Sequence, residues 1–299
     1  MQKLQQWLFE FYLSVERLVC RVSHKKLQIS DGEIAYVEGG SGATLLMLHG
    51  FGSDKESWHK LIAKVSSYFH IVAPDLPGFG ASLKDQNLTY DIDRQVSRLH
   101  EFISQKKLTK VVLMGSSYGG YLATVYAKKH PEVVNQICLI SPLGVQKAPN
   151  SRLFNEICAG EYPLLLPRNS KELVALINKC FSKVPFLPNF ALQQMARSAS
   201  KNNALHFDIF HQTHLMNKNE SQTEIQFHYP LENTIKALDV PVHVIWGEKD
   251  EILSVDAIHV IHESRGDSLN IDVIPDVGHL PQIECPKLIA ELVLKNSLY

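Results

Sequence analysis

The sequence lacks paired cysteines. Its 299 residues include five, which are widely spaced and form no Cys-x-x-Cys pair. An odd and scattered set argues against both a disulfide framework and a zinc site. We therefore expect free thiols in a reducing compartment, the cytoplasm, and no bound metal. The five are Cys20, Cys138, Cys158, Cys180 and Cys285.

The sequence also has no excess of positive or negative charge. The 30 Lys and Arg residues are balanced by 31 Asp and Glu residues, which gives a formal net charge of -1. A chain with this balance has no long-range attraction to a polyanion. We therefore expect no nucleic-acid partner.

The sequence also has no long uninterrupted apolar run. Residues 4–22 carry apolar side chains, including Trp7 and Phe11, at three- and four-residue steps, which is typical of an amphipathic helix. Glu10 and Glu16 interrupt the segment too early for a transmembrane span, and it has no signal-peptide pattern. Two interpretations stay open. The helix makes a peripheral contact with a membrane, or it packs on the protein body or on another copy.

The most informative stretch is a serine flanked by glycines. Residues 111–114 are apolar and predict a buried strand, and helical spacing follows from Tyr121. Between them lies a G-x-S-x-G pattern centred on Ser117. Such a strand-to-helix turn lifts the serine oxygen clear of the backbone. We expect Ser117 to be a nucleophile, and the N–H of Tyr118 at the helix start to stabilise an oxyanion.

A serine nucleophile needs a histidine base and a carboxylate that orients the base. In an open α/β sheet such groups follow the carboxyl ends of strands. Asp250 follows the predicted strand that ends at Trp246, and His279 follows the one that ends at Ile274. A short carboxylate at a strand end orients an imidazole well, which favours Asp250 over three nearby acids. These are Glu248, Glu251 and Asp256.

The loop that follows the apolar segment 44–48 reads His49-Gly50-Phe51-Gly52. A second oxyanion donor should come from this loop, and the N–H of Phe51 is best placed to be it. His49 precedes the loop glycine. We expect it to fix the shape of the loop by hydrogen bonding rather than to act as a base.

Strand and helix patterns alternate along most of the chain. About eight strands, mostly joined by helices, predict an α/β protein with an open, largely parallel sheet. From about residue 147 to 232 the alternation stops, and the pattern predicts helices only. We therefore divide the chain into an N-terminal amphipathic helix (1–22), a body (23–146 and 233–299) and a helical insertion (147–232).

Four features coincide in this sequence: the loop 49–52, the Pro- and Gly-rich loop 74–80, the turn around Ser117, and the pair Asp250 and His279. Together they resemble the α/β-hydrolase superfamily, and most of all its bacterial family V lipases and the related membrane-associated monoacylglycerol lipase. The resemblance implies a catalytic triad of Ser117, Asp250 and His279. It also implies that the insertion is a helical cap, placed after the sixth strand, that shapes an acyl pocket.

The function implied by the resemblance is a serine carboxylester hydrolase of lipid metabolism, an esterase or lipase that needs no cofactor. Its substrate would be a small ester or a lipid such as a monoacylglycerol. Two alternatives stay open: a carbon–carbon bond hydrolase of the meta-cleavage type, and a non-catalytic scaffold for binding. Apolar cap residues would line the acyl pocket or pack into the core. They include Leu164, Leu165, Leu166, Phe181, Phe186, Phe190 and Met195.

Overall fold

The computed structural model describes residues 2–218 and 223–296. The predicted apolar strands form one eight-stranded sheet, and two short strands form a separate antiparallel pair. The sheet contains β1 (Val22–Ile29), β2 (Gly32–Gly40), β3 (Ala43–Leu48), β4 (Phe69–Pro74), β5 (Val111–Ser116), β6 (Val134–Ile140), β9 (Val242–Gly247) and β10 (Leu269–Ile274). The separate pair is β7 (Leu215–Lys218) and β8 (Thr223–Gln226).

The strand order in the sheet is β1-β2-β4-β3-β5-β6-β9-β10. Strand β2 runs antiparallel to both of its neighbours, whereas all pairs from β4 through β10 are parallel. The central strands β3 and β5 are almost entirely apolar and buried, because helices cover both faces of a parallel sheet. The prediction of a mostly parallel α/β sheet is therefore confirmed.

Helices lie on both faces of this sheet and in the insertion between β6 and β9. They are α1 (Gln2–Cys20), α2 (His59–Val65), α3 (Ile92–Gln105), α4 (Tyr118–Lys129), α5 (Arg152–Cys158), α6 (Ser170–Cys180), α7 (Asn189–Thr213), α8 (Leu231–Lys236), α9 (Ala257–Arg265), α10 (Pro281–Glu284) and α11 (Pro286–Asn296). One apolar layer joins the sheet to α3, α4, α8 and α9. The other joins it to α2 and α11.

The insertion between β6 and β9 is mainly helical, with α5, α6 and α7 as its main helices. The prediction that residues 147–232 contain helices only is wrong, because β7 pairs with β8 inside this segment. Each of these strands has 4 residues, which is too short for an alternating pattern to stand out in the sequence. Ile225 of β8 is buried in one apolar cluster with Leu153 and Phe154 of α5. The division of the chain into helix, body and cap remains our proposal.

Helix α1 packs against both α2 of the body and α7 of the cap. At its end Cys20 is buried, and the Cys20 thiol donates to the carbonyl oxygen of His59 over 3.1 Å. Among the described residues, no helix is long and apolar enough to cross a bilayer. The helix nevertheless carries an exposed apolar stripe. Its members are Trp7, Phe11, Val15, Leu18 and Val19, with exposed fractions of 61%, 57%, 45%, 80% and 65%.

A buried histidine lies directly after α7. His214 is 3% exposed, and no described residue accepts from or donates to its Nε2 atom. Its ring packs edge-on against Phe210, with the centroids 4.5 Å apart. Burial lowers the pKa of His214 to about 4, whereas an exposed histidine titrates near about 6.5. Between those two pH values the unfolded chain binds a proton at this position that the folded protein excludes.

We expect His214→Phe to reduce the sensitivity of the protein to acid. Because the pKa of His214 is lowered by folding, its contribution to stability decreases as the pH falls from about 6.5 towards the folded-state value. Urea unfolding at pH 7.5 and pH 5 should show a loss of unfolding free energy that is about 2 kcal/mol smaller in the variant than in the wild type. His259→Gln changes an exposed histidine and serves as the control. Identical pH dependence in His214→Phe and wild type would contradict this explanation.

Candidate active site

Ser117 occupies a strained backbone conformation. Its φ is 52° and its ψ is -116°, and residues other than glycine rarely adopt a positive φ. Backbone hydrogen bonds hold the turn. The N–H of Ser117 donates to Ile140 O over 2.9 Å, and the N–H groups of Gly120 and Tyr121 donate to Ser117 O over 2.9 and 3.1 Å. Ser117 therefore lies at the carboxyl end of β5, where the chain turns into α4.

Two glycines of the pattern are required by close backbone approach. A Cβ atom at Gly119 would lie 2.1 Å from the carbonyl oxygen of Leu48. A Cβ atom at Gly115 would lie 2.3 Å from the carbonyl oxygen of Gly119. Helix α4 therefore begins in direct contact with the ends of β3 and β5, at a distance that a side chain would not permit.

Asp250 and His279 are in direct contact. His279 Nδ1 lies 2.7 Å from Asp250 Oδ2, and the side chain of Asp250 is fully buried. The other oxygen, Oδ1, accepts from the N–H groups of Ile252 and Leu253 over 2.8 and 3.0 Å. The carboxylate is thus held from one side and orients the imidazole on the other, which leaves Nε2 for proton transfer.

The three competing acids lie elsewhere. Glu248 and Glu251 have 47% and 64% of their side-chain surface exposed and pair with Lys249 and Lys179. Asp256 is exposed and accepts from the Ser254 hydroxyl over 3.3 Å. Asp250 is thus the acid that the structure brings to His279.

The hydroxyl of Ser117 makes no hydrogen bond to any residue in 2–218 or 223–296, so the structure does not join it to His279. Hydrogen bonds between a catalytic nucleophile and its base often form only once substrate is bound. The described geometry therefore consists of an Asp250–His279 pair and a separate turn in which Ser117 is half-buried between buried neighbours.

The two predicted oxyanion donors lie on the segments next to Ser117. A Cβ atom at Gly50 would lie 3.4 Å from Ser117 Cβ, so the loop that carries Phe51 passes directly beside Ser117. Tyr118 is the first residue of α4, and the first N–H groups of a helix have no acceptor within the helix. This arrangement could present two N–H groups to one oxygen atom.

Comparison with known proteins settles the family. Residues 45–292 match the model of the alpha/beta hydrolase family. The chain belongs to that family. This confirms the resemblance inferred from the loop, turn and strand-end residues, and also the hydrolase fold with a cap inserted after the sixth strand.

The hydrolase is also similar to individual lipases. Lipase 3 of Moraxella sp. (strain TA144) is 29% identical over 280 residues, which are 92% of this chain and 84% of that protein. Monoacylglycerol lipase ABHD6 of Homo sapiens is 27% identical over 264 residues, which are 85% of this chain and 75% of that protein. A solved structure of a membrane phospholipase A, described as a bacterial virulence factor, is 31% identical with a TM-score of 0.89 and covers 98% of this chain and 91% of that one.

His49 makes the hydrogen bonds of a loop-fixing residue in the hydrolase. The N–H of Leu76 donates to His49 Nε2 over 2.9 Å, and His49 Nδ1 lies 2.8 Å from Gly50 O. An accepting Nε2 and a donating Nδ1 require a neutral ring. Burial lowers the pKa of His49 and favours that neutral form. The ring thus ties the loop 49–52 to the loop 74–80.

A buried ion pair beneath these loops was not foreseen from the sequence. Asp75 Oδ2 accepts from Lys55 Nζ over 2.7 Å and from the N–H of Ala81 over 2.7 Å. Asp75 Oδ1 accepts from the N–H of Lys55 over 2.8 Å. Lys55 and Asp75 have 4% and 0% of their side-chain surface exposed. Asp75 lies inside the loop motif 74–80, so its position was visible in the sequence, but its partner was not.

An aromatic cluster joins the loop 49–52 to the cap. The ring of Phe51 contacts Phe79 and Tyr118 at centroid distances of 5.2 and 6.0 Å, and it contacts His206 and Phe210 of α7 at 6.0 Å each. His206 Nε2 also lies 3.2 Å from the carbonyl oxygen of Gly78. Burial lowers the pKa of His206 to about 4. A neutral histidine therefore anchors α7 over the loops.

The apolar cap residues predicted to line a pocket or pack in the core have different environments. Leu166 is 1% exposed within the cap cluster, and Leu164 and Leu165 pack partly buried against that cluster. Phe181 is partly buried against α6, and Phe190 is half-buried. Met195 is 37% exposed. Phe186 is 91% exposed, so it neither lines a pocket nor packs in the core. Its prediction is wrong because an apolar residue in a helix-rich segment does not by itself indicate burial.

The short helix α10 is hydrogen-bonded to the turn around Ser117. Gln282 Nε2 donates to the hydroxyl oxygen of Ser116 over 3.1 Å, and both side chains are buried. The sequence analysis missed Gln282 because its partner lies 166 positions away in the chain. The only indication in the sequence that Gln282 lies near the site is its position three residues after His279.

We expect Lys55→Met to destabilise the hydrolase by about 3–5 kcal/mol, because the carboxylate of Asp75 would remain buried without its cation. Urea unfolding measures the change. The matched control is Lys287→Met, since Lys287 is 85% exposed and 4.0 Å from Glu291, and it should cost less than about 1 kcal/mol. Adding Asp75→Asn should recover part of the lost stability. A Lys55→Met protein as stable as the control would contradict a structural role for the pair.

Proposed function

We propose that this hydrolase is a serine carboxylester hydrolase of the lipase type that acts through an acyl-enzyme on Ser117. The contact of 2.7 Å between the buried Asp250 carboxylate and His279 is the observation that carries the proposal. A buried carboxylate that orients an imidazole beside a strained serine turn suits nucleophilic attack on a carbonyl group. The lipases among its relatives support an ester as the group that is cleaved.

In the proposed mechanism Ser117 Oγ attacks the ester carbonyl carbon while His279 Nε2 takes the hydroxyl proton. Asp250 stabilises the imidazolium ion. The N–H groups of Phe51 and Tyr118 donate to the oxyanion of the tetrahedral intermediate. When the intermediate collapses, His279 returns the proton to the leaving alcohol, and the acyl group stays on Ser117. Water, activated by His279, then releases the carboxylic acid and restores the serine.

The apolar character of the cap supports an acyl chain as the recognised group. Phe51 and Phe210 belong to the same apolar cluster as the α5 residues Leu153, Phe154 and Ile157. An apolar wall next to the oxyanion loop favours a medium or long acyl chain over acetate. A monoacylglycerol fits this description. A carbon–carbon bond hydrolase and a non-catalytic scaffold are less favoured, because the similar proteins named above are lipases.

Replacement of the nucleophile tests the proposal. Ser117→Ala should lower kcat/KM on p-nitrophenyl butyrate by about 10⁴-fold or more, since removal of a serine nucleophile disables the whole triad. The wild-type protein should also hydrolyse p-nitrophenyl esters from acetate to palmitate and a monoacylglycerol, with its maximum at medium or long chains. A Ser117→Ala protein that keeps most of its esterase rate would remove the basis of the assignment. Consumption of a meta-cleavage dienoate with no ester hydrolysis would favour the carbon–carbon alternative.

We also propose that residues 4–22 make a peripheral contact with a membrane surface. The apolar stripe on α1 faces away from the protein body, and its tryptophan and phenylalanine are side chains that bind well at a lipid interface. The adjacent Trp7 and Phe11 rings stack at a centroid distance of 5.8 Å.

The double variant Trp7→Glu with Phe11→Glu should lower co-sedimentation with phosphatidylcholine vesicles at least tenfold, because two charges would enter the interface. Hydrolysis of a water-soluble ester should stay unchanged. Tyr68→Glu alters an aromatic residue that is 53% exposed on another part of the surface and is the control. Unchanged co-sedimentation would reject the contact. A shift from dimer to monomer in the double variant would show that a second copy covers the stripe instead.

A further inference from the structure

A carboxylate next to the base loop connects that loop to the cap. Glu284, the last residue of α10, accepts from the N–H of Gly278 at Oε1 over 2.7 Å. Its other oxygen, Oε2, accepts from the N–H of Lys183 over 2.9 Å. Gly278 directly precedes His279, and Lys183 follows the C-terminal end of α6 in the cap. One side chain therefore bridges two chain segments that are otherwise far apart in the sequence.

A third hydrogen bond joins the same two segments. The N–H of His279 donates to the carbonyl oxygen of Cys180, the last residue of α6, over 2.8 Å. The segments are also in van der Waals contact, because a Cβ atom at Gly278 would lie 2.7 Å from Cys180 O and 2.8 Å from the N atom of Ser182. The backbone of the base loop is thus bound directly to the cap.

The body confines the loop from the opposite side. A Cβ atom at Gly247, at the end of β9, would lie 2.0 Å from Gly278 O. The loop therefore lies between β9 and the cap and is hydrogen-bonded to both, since the N–H of Lys249 donates to Val277 O over 2.8 Å on the body side. Hydrogen bonds to a carboxylate are stronger than those between neutral groups, so Glu284 should be the main side chain that ties this loop to the cap.

We propose that Glu284 is a positioning residue that couples the seating of the cap to the orientation of His279. Its carboxylate touches no reacting atom. It accepts hydrogen bonds from the backbone of the loop that carries His279 and from Lys183 of the cap. The orientation of the His279 imidazole therefore depends on the position of the cap segment 180–183. This inference rests on the proposed function, since it assigns His279 as the base.

The test compares three variants. Glu284→Ala removes the acceptors of both N–H groups, those of Gly278 and Lys183. Glu284→Gln keeps an oxygen that can accept from one of them but places an NH₂ group, a donor, opposite the other. Glu291→Ala removes a carboxylate that is 61% exposed on the neighbouring α11 and controls for the loss of charge. Turnover of p-nitrophenyl esters is divided by the number of serines that a fluorophosphonate labels at completion, so that misfolded protein does not count.

For Glu284→Ala we expect kcat per labelled serine to fall about 10- to 100-fold, as misplacement of a catalytic group does, with KM changed by less than about threefold. The loss should be the same for acetate, butyrate and octanoate esters, because the base serves every substrate. Glu284→Gln should lose less than Glu284→Ala, and Glu291→Ala should lose less than about twofold.

A kcat of Glu284→Ala within about threefold of wild type overturns the proposal. A loss confined to the longest ester also overturns it, because Glu284 would then act on the acyl pocket alone. If Glu284→Ala does not fold, Glu284→Gln decides by the same criteria. Failure of the proposed function is distinguishable, because it appears in the wild type as absent labelling or in Ser117→Ala as retained hydrolysis.

Discussion

The close approach of α4 to the ends of β3 and β5 is the constraint on which the site depends. Gly119 meets the carbonyl oxygen of Leu48 at a distance that excludes any side chain. Ser117 adopts a positive φ there, and its own N–H and carbonyl groups are hydrogen-bonded to β6 and to the first turn of α4. The strained backbone conformation of Ser117 persists because the rigid sheet and α4 determine the positions of the residues on both sides of it.

Around this turn, buried polar groups connect the loops next to Ser117. His49 ties the loop 49–52 to the loop 74–80, and Asp75 binds Lys55 and Ala81, which lie shortly after these two loops. Such buried networks are stabilising only when their members are satisfied. This explains how loops without regular structure can hold groups as accurately as catalysis requires.

The cap adds a second level of organisation. Helix α7 rests on the loops through Phe210 and His206, and the end of α6 rests on the base loop through Glu284 and Cys180. The cap therefore contacts the loops next to Ser117 and the loop that carries His279 at the same time. Helix α1 touches α7 as well, so a surface that binds α1 would lie next to the cap.

Much of this arrangement could be predicted from the sequence, and most of what could not depends on contacts between residues that are far apart in the chain. The parallel sheet, the turn at Ser117 and the strand-end positions of Asp250 and His279 follow from local apolar patterns and turn residues, which each lie within a few positions. The partners Lys55 and Asp75, Gln282 and Ser116, or Glu284 and Lys183 are distant in sequence and leave no periodic signal. The strands β7 and β8 were missed because four residues are too few to show an alternating pattern, and the exposure of Phe186 was missed because apolar character alone does not determine burial.

The central claim is that Ser117 is a nucleophile activated by His279. The most direct measurement is to label the native protein with a fluorophosphonate and to map the modified peptide by tandem mass spectrometry. The account predicts stoichiometric modification at Ser117, lost when the protein is unfolded in urea before labelling. Modification of a different residue, or no modification of the native protein, would contradict it.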